Sequence, residues 1–142
     1  MSLFSLFGKK EEAGSKREAK LEKQKTNLVK LGLMEETDKL IDYFQAGYVE
    51  RLIGKFGQWQ KGWAYFTEER LIVITGLLEE NIVIPYQNIH ALEKGSQGVA
   101  QIAITITYEN MQSGEIVSDK ISMMKRDQWM QFMAERARVA AD

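Results

Sequence analysis

The chain has 142 residues, 44% of them hydrophobic and 27% charged, which is the length and make-up of one globular domain and leaves no room for several. Nineteen Lys and Arg against twenty Asp and Glu give a formal charge of -1, which excludes a protein that binds polyanions over its whole surface. With no cysteine and a single histidine, His90, a disulfide framework, a thiolate zinc site and a cysteine nucleophile are excluded, and the composition suits a reducing compartment.

The charge is unevenly divided. Residues 1–30 carry eight Lys or Arg and four Glu, a net +4, and the remainder carries 11 basic and 16 acidic residues, a net -5. A boundary near residues 30–45 is therefore expected. Leu3, Phe4, Leu6 and Phe7 cluster ahead of Lys9 and Lys10, but the apolar run is too short for a secretory leader and its basic residues follow instead of preceding it. No later stretch approaches the ~20 apolar residues of a membrane-spanning helix. Residues 15–30 are mostly good helix formers with a thin apolar stripe, which predicts a solvated helix. Gly32 interrupts it, and Met34, Leu40, Ile41 and Phe44 recur at a spacing that predicts a second, amphipathic helix ending around Gly47.

After Gly47 the period becomes that of strands. Strands are predicted over 48–56, 60–66, 70–75, 82–84, 89–93, 101–108 and 115–123. Pro85 closes the fourth, where its missing N–H costs no ladder bond. In the sixth, Ile102, Ile104, Ile106 and Tyr108 alternate with Ala103, Thr105 and Thr107, so one face belongs in a core. Ser113-Gly114 predicts a turn, and Gly95-Ser96-Gln97-Gly98 reads as a strand connection, since no helix or Lys-Ser/Thr follows to complete a phosphate loop. Asp127 stands as the N-cap of a final amphipathic helix carrying Trp129, Phe132 and Met133. Seven antiparallel strands and one helix predict a mainly β protein, a barrel or sandwich whose open end the helix plugs.

Two segments, Gly62-Trp63-Ala64-Tyr65-Phe66-Thr67-Glu68-Glu69-Arg70-Leu71-Ile72-Val73-Ile74 and Ile84-Pro85-Tyr86-Gln87-Asn88-Ile89, resemble the bacterial pleckstrin-homology-like domains and the related GRAM domains. In order and number of elements the resemblance runs over roughly residues 48–140. It implies a seven-stranded, partly open antiparallel barrel closed by a C-terminal helix and used for binding or self-assembly, not for catalysis. Read on their own residues, Thr67, Glu68 and Glu69 make a polar turn, and Arg70 opens the next strand with its stem over an aromatic and its head in water. Phosphoinositide binding is not expected, because only Lys55 and Lys61 flank the first hairpin, and multiply charged phosphates need several charge-assisted hydrogen bonds.

No residue set for catalysis, cofactor or metal binding assembles from the sequence. His90 reads as a satisfied structural histidine, and the pairs Glu35-Glu36, Glu68-Glu69 and Glu79-Glu80 read as solvated charges. Trp59, Lys61 and Trp63 are the candidate partner surface. Trp59 falls at the presumed hairpin tip, where it either meets a partner or folds back over the barrel mouth. Met123, Met124, Met130 and Met133 either fill the core or add a plastic surface. Leu3, Phe4, Leu6, Phe7, Lys9 and Lys10 are the candidate contact with anionic lipid, weighed against a tail or a helix that docks on a partner.

The sequence thus divides into a basic, partly disordered or helical N-terminal extension, residues 1–46, and a pleckstrin-homology-like domain, residues 47–142. The expected role is non-enzymatic binding of a protein partner or of a second copy, in the cytoplasm. The alternative is peripheral association with the inner face of a membrane through the N-terminal segment. Nucleic-acid binding is not expected, because residues 31–142 are acidic.

Overall fold

The computed structural model describes the backbone of residues 3–50, 58–76 and 81–141, with side chains from residue 16 onward. An N-terminal helix, α1 (Leu3–Lys30), precedes seven strands: β1 (Leu40–Val49), β2 (Gln60–Thr67), β3 (Arg70–Thr75), β4 (Ile82–Pro85), β5 (Ile89–Gln97), β6 (Ala100–Glu109) and β7 (Ile116–Ser122). A single 3-10 turn (Tyr86–Asn88) joins β4 to β5, and helix α2 (Arg126–Ala137) closes the fold. The strands form one antiparallel sheet in the order β4-β3-β2-β1-β7-β6-β5. Among the described residues the number of strands and the C-terminal helix are as expected.

The second predicted helix is not. Residues 40–49 are β1, and Met34 lies in the turn before it. The reason is that β1 is covered on both faces. Phe44, Ala46 and Tyr48 join the barrel interior while Leu40 and Tyr43 pack outside, so the apolar residues lose the period-two alternation that marks a half-buried strand. The first strand therefore begins at Leu40, not Tyr48, and residues 51–56 of the predicted strand lie outside the described residues.

Helix α1 is not simply solvated. Its thin stripe suffices because the outer face of β1–β4 is itself apolar. Leu28 is buried, and with Leu21 and Val29 it packs on Leu40, Tyr65 and Ile72. Arg17 pairs with Asp42, and its guanidinium lies 5.4 Å from the centre of the Tyr43 ring. The helix ends where predicted. Gly32 takes φ +73, Leu33 N–H donates to the Leu28 carbonyl at 2.9 Å and Gly32 N–H to Val29 at 3.0 Å, a glycine-dependent stop.

The sheet thus separates two cores. Inside the barrel, Tyr48, Phe66, Leu71, Ile84, Ile104, Ile106 and Ile121 pack around the buried face of α2. Trp129 stacks on Phe66 with centroids 4.3 Å apart and meets Phe132 edge-on at 5.2 Å. Met123, Met130 and Met133 are core residues, and Met124 is exposed. Asp127 is not the N-cap. Lys125 precedes the helix at φ +57, and Arg126 opens it by donating to the carbonyls of Gly95 (3.1 Å) and Ala103 (2.9 Å), which fixes the start two residues earlier. Asp127 sits in the first turn, where the hydrogen bond from Arg126 Nε at 2.6 Å lowers its carboxyl below the usual range.

Candidate binding groove

The residues that close the β1–β2 connection shape the groove. On β1, Ala46 and Tyr48 point inward, so Gly47 faces out, toward Ser122, its partner on β7. A Cβ at Gly47 would stand 2.5 Å from Ser122 Oγ and 3.1 Å from Trp59 Cε3. The missing side chain is what lets the Trp59 indole lie back on the sheet. Trp59 is therefore half-buried just before β2, with Lys120 Nζ 5.9 Å from its ring. Gly62 is equally bare, because a Cβ there would meet the Ile74 carbonyl at 2.6 Å.

Trp63 stands two residues along β2 from Lys61, on the same outer face as Tyr65. It is 41% exposed and tilts against Tyr43 with ring centroids 6.0 Å apart. Across the groove Met124, just past β7, is 79% exposed. These side chains and the ends of β1, β3 and β7 enclose an open groove of 780 Å³. Its polar groups are neutral and largely paired. Thr75 Oγ1 donates to Gln60 Oε1 at 3.0 Å, and Ser122 Oγ donates to Gln97 Oε1 at 2.7 Å. Lys61 is the one charged residue among the described lining residues.

The three candidates Trp59, Lys61 and Trp63 thus line one groove, with Trp59 folded back and not projecting from a tip. On the opposite wall Met124 takes the surface alternative read for the methionine cluster, while Met123, Met130 and Met133 take the core one. The side chains of Leu3, Phe4, Leu6, Phe7, Lys9 and Lys10 lie outside the described residues, as do Lys55 and Glu79-Glu80.

The motif-like segments are structural. Thr67 Oγ1 accepts from the N–H groups of Glu69 (3.1 Å) and Arg70 (2.9 Å), closing the β2–β3 turn, and Tyr86 braces it by donating its hydroxyl to the Thr67 carbonyl at 2.7 Å. The Arg70 head does not sit in water. Its side chain is 19% exposed, donates to the Leu33 carbonyl at 3.3 Å and lies 3.8 Å from the buried Asp38 carboxylate, drawn in by that charge. Glu68 pairs with Arg136 of α2 at 3.0 Å. Gly95 to Gln97 complete β5, and the connection turns at Gly98, φ +61. His90 is an exposed β5 residue at a register irregularity between Ile89 and Ala91.

A buried polar cluster lies inside the barrel. Tyr48 and Tyr108 both donate their hydroxyls to Asp119 Oδ2, the latter at 2.6 Å. Burial first, and the Asp119 charge second, hold both phenols above their ordinary range. Among the described residues no group of three or more His, Cys, Asp or Glu is placed to hold a metal ion, and no helix is long and apolar enough to cross a membrane.

The barrel and its closing helix define a pleckstrin-homology-like fold. No protein-family model and no curated protein matches the chain. Among solved structures it is similar to the C-terminal domain of an unknown protein from Leishmania infantum, at 16% identity over 80% of this chain and 93% of that one, TM-score 0.54. It is also similar to the DH/PH domains of PDZ-RhoGEF in their complex with GTP-γ-S-activated RhoA, at 12% identity over 72% of this chain and 30% of that one, TM-score 0.52. The Vps36 N-terminal PH domain aligns at 19% identity over 73% and 80%, TM-score 0.49. At identities this low the first two likenesses carry the fold and no further.

Proposed function

We propose that this chain is a non-enzymatic binding module, akin to the bacterial pleckstrin-homology-like and GRAM domains, that takes a polypeptide in the Trp59–Trp63–Met124 groove. One observation carries the reading: two tryptophans and a largely exposed methionine converge on one concavity with a single charge. Exposed aromatic and Met side chains around a concave, uncharged centre are the make-up of protein-binding surfaces, whereas a phosphate site would need converging cations. Strand addition is the less favoured route. The free edge of β5 has register irregularities at both ends, carries Glu93 and Lys94, and has its Gly95 carbonyl occupied by Arg126, devices that discourage edge pairing. The thiol-free composition supports a cytoplasmic location.

A photo-crosslinking amino acid at position 124 tests the proposal in cells. Adducts with a polypeptide, whether another protein or a second copy, are the expected result. Labelling of lipid alone would overturn the proposal in favour of a peripheral membrane protein, and no adduct at all would remove the groove as a binding site.

A further inference from the structure

We infer that the polypeptide taken by the groove is a proline-rich segment in the extended polyproline form, an inference that rests on the polypeptide-binding reading above. A one-sided set of hydrogen-bonding groups carries it. Gln60 and Gln97 both line the groove, and the amide oxygen of each is already taken: Thr75 Oγ1 donates to Gln60 Oε1 at 3.0 Å, and Ser122 Oγ to Gln97 Oε1 at 2.7 Å. The two hydroxyls orient the amides so that both Nε2 groups are left as donors. The indole N–H groups of Trp59 and Trp63 and the Lys61 ammonium likewise meet no acceptor among the described residues. No Asp or Glu stands among the described lining residues, and of the three lining amides only Gln45, exposed on the rim, keeps its oxygen free.

Side chains that offer N–H groups and have spent their amide oxygens suit a ligand with many acceptors and few donors. Among polypeptides that is a proline-rich one, because proline has a backbone carbonyl and no N–H. In the polyproline helix no internal hydrogen bond uses those carbonyls, so they remain free to accept. The rings agree with this chemistry. Trp63 is braced by Tyr43, with centroids 6.0 Å apart, and Trp59 rests where Gly47 has no side chain, so both indoles present fixed surfaces on which proline rings can pack. Ordering cost points the same way, since an open groove restrains its ligand little and a segment that is already stiff and extended loses least on binding. Pro85 is the single proline of the 142 residues, and it lies at the end of β4 paired with Arg70. A second copy of these residues therefore supplies no such segment, and the ligand belongs to another polypeptide.

Titration of the full chain with a synthetic oligoproline peptide, followed by calorimetry and tryptophan emission, tests the inference against two peptides of equal length, one of Gly and Ser and one rich in Glu. Oligoproline is expected to bind saturably and more tightly than either control by roughly tenfold or more. Gln60→Glu and Gln97→Glu keep the shape and the acceptor for the Thr75 or Ser122 hydroxyl but put an oxygen where the free donor stood. Each is expected to weaken binding by roughly fivefold or more, as is Trp63→Ala. Circular dichroism checks folding, and if one of the two glutamine substitutions prevents it, the other carries the donor test. No saturable binding of oligoproline at millimolar concentration, a control peptide that binds as tightly, or binding indifferent to the substitutions at Gln60 and Gln97 overturns the inference. Adducts from position 124 to polypeptides without proline tracts would overturn it as well while leaving the polypeptide-binding reading in place, and labelling of lipid alone would overturn both.

Discussion

Tyr48 and Tyr108, on β1 and β6, share one hydrogen-bond acceptor, the Oδ2 atom of Asp119 on β7. The carboxylate thus joins three strands from within the barrel, and its side chain is fully buried. Removing it leaves two buried hydroxyls without that acceptor, at about 1–3 kcal/mol each. Asp119→Ala is expected to lose more stability in urea unfolding than Tyr108→Phe, which deletes one donor and costs about 1 kcal/mol. Equal losses would show that the carboxylate does not hold both phenols.

The same pair, with two further buried tyrosines, contributes to the loss of stability expected at alkaline pH. Folded-state values for Tyr48 and Tyr108 lie above the ordinary phenol value of 10.0, as do those for Tyr65 and Tyr86, with burial the largest cause at each. A raised folded value means that the native state keeps its protons while the unfolded chain loses them. The contribution is therefore intact below the unfolded value and falls as pH rises past about 10, by about 1.4 kcal/mol per pH unit for each buried tyrosine still protonated. Denaturant unfolding followed from pH 8 to 11.5 is expected to stay level with respect to these groups and then drop. A flat profile beyond pH 10 would contradict it.

At Gly47 the groove floor tolerates no side chain. Gly47→Ala places a methyl 2.5 Å from Ser122 Oγ and 3.1 Å from Trp59, so the indole must lift or the Ser122–Gln97 hydrogen bond must break. A loss of about 1–3 kcal/mol is expected, with a red shift of tryptophan emission as Trp59 moves into water. Unchanged stability and emission would show that the indole does not depend on the bare backbone.

Leu28 tests whether α1 is part of the folded unit. The side chain is 1% exposed and packs under Tyr65 and Ile72. Leu28→Ala is expected to cost about 2–5 kcal/mol, and Leu31→Ala, at a position 60% exposed, to cost little. Thermal unfolding of the two variants checks the contrast.

What could be read from the sequence follows from how each element is covered. β6 has clear alternation because one face meets the core, and α2 announces itself by Trp129, Phe132 and Met133. β1 could not be read, because Leu40 and Tyr43 serve the outer core while Phe44 and Ala46 serve the inner one, and a two-faced apolar run fits a helical period as well. The docking of α1 was hidden for a related reason. Leu21 and Leu28 make a sparse stripe whose meaning depends on an apolar sheet face that no local window contains. Trp59 and Trp63 were visible as residue types, but their meeting with Met124 needs β7 beside β1, a contact between distant parts of the chain.

The two cores have a consequence for β3. Leu71 and Val73 face the barrel interior, and Ile72 and Ile74 face α1, so sliding this strand by one residue would trade one greasy set for another with little penalty in polarity. Hydrophobic pattern carries almost no positional information here. That information must come from the punctuation at the strand's start, the Thr67–Arg70 turn braced by Tyr86 and the pairing of Arg70 with Pro85. The most strand-like stretch of the chain is the one least able to locate itself, and its place is written in the polar turn from Thr67 to Arg70 at its start.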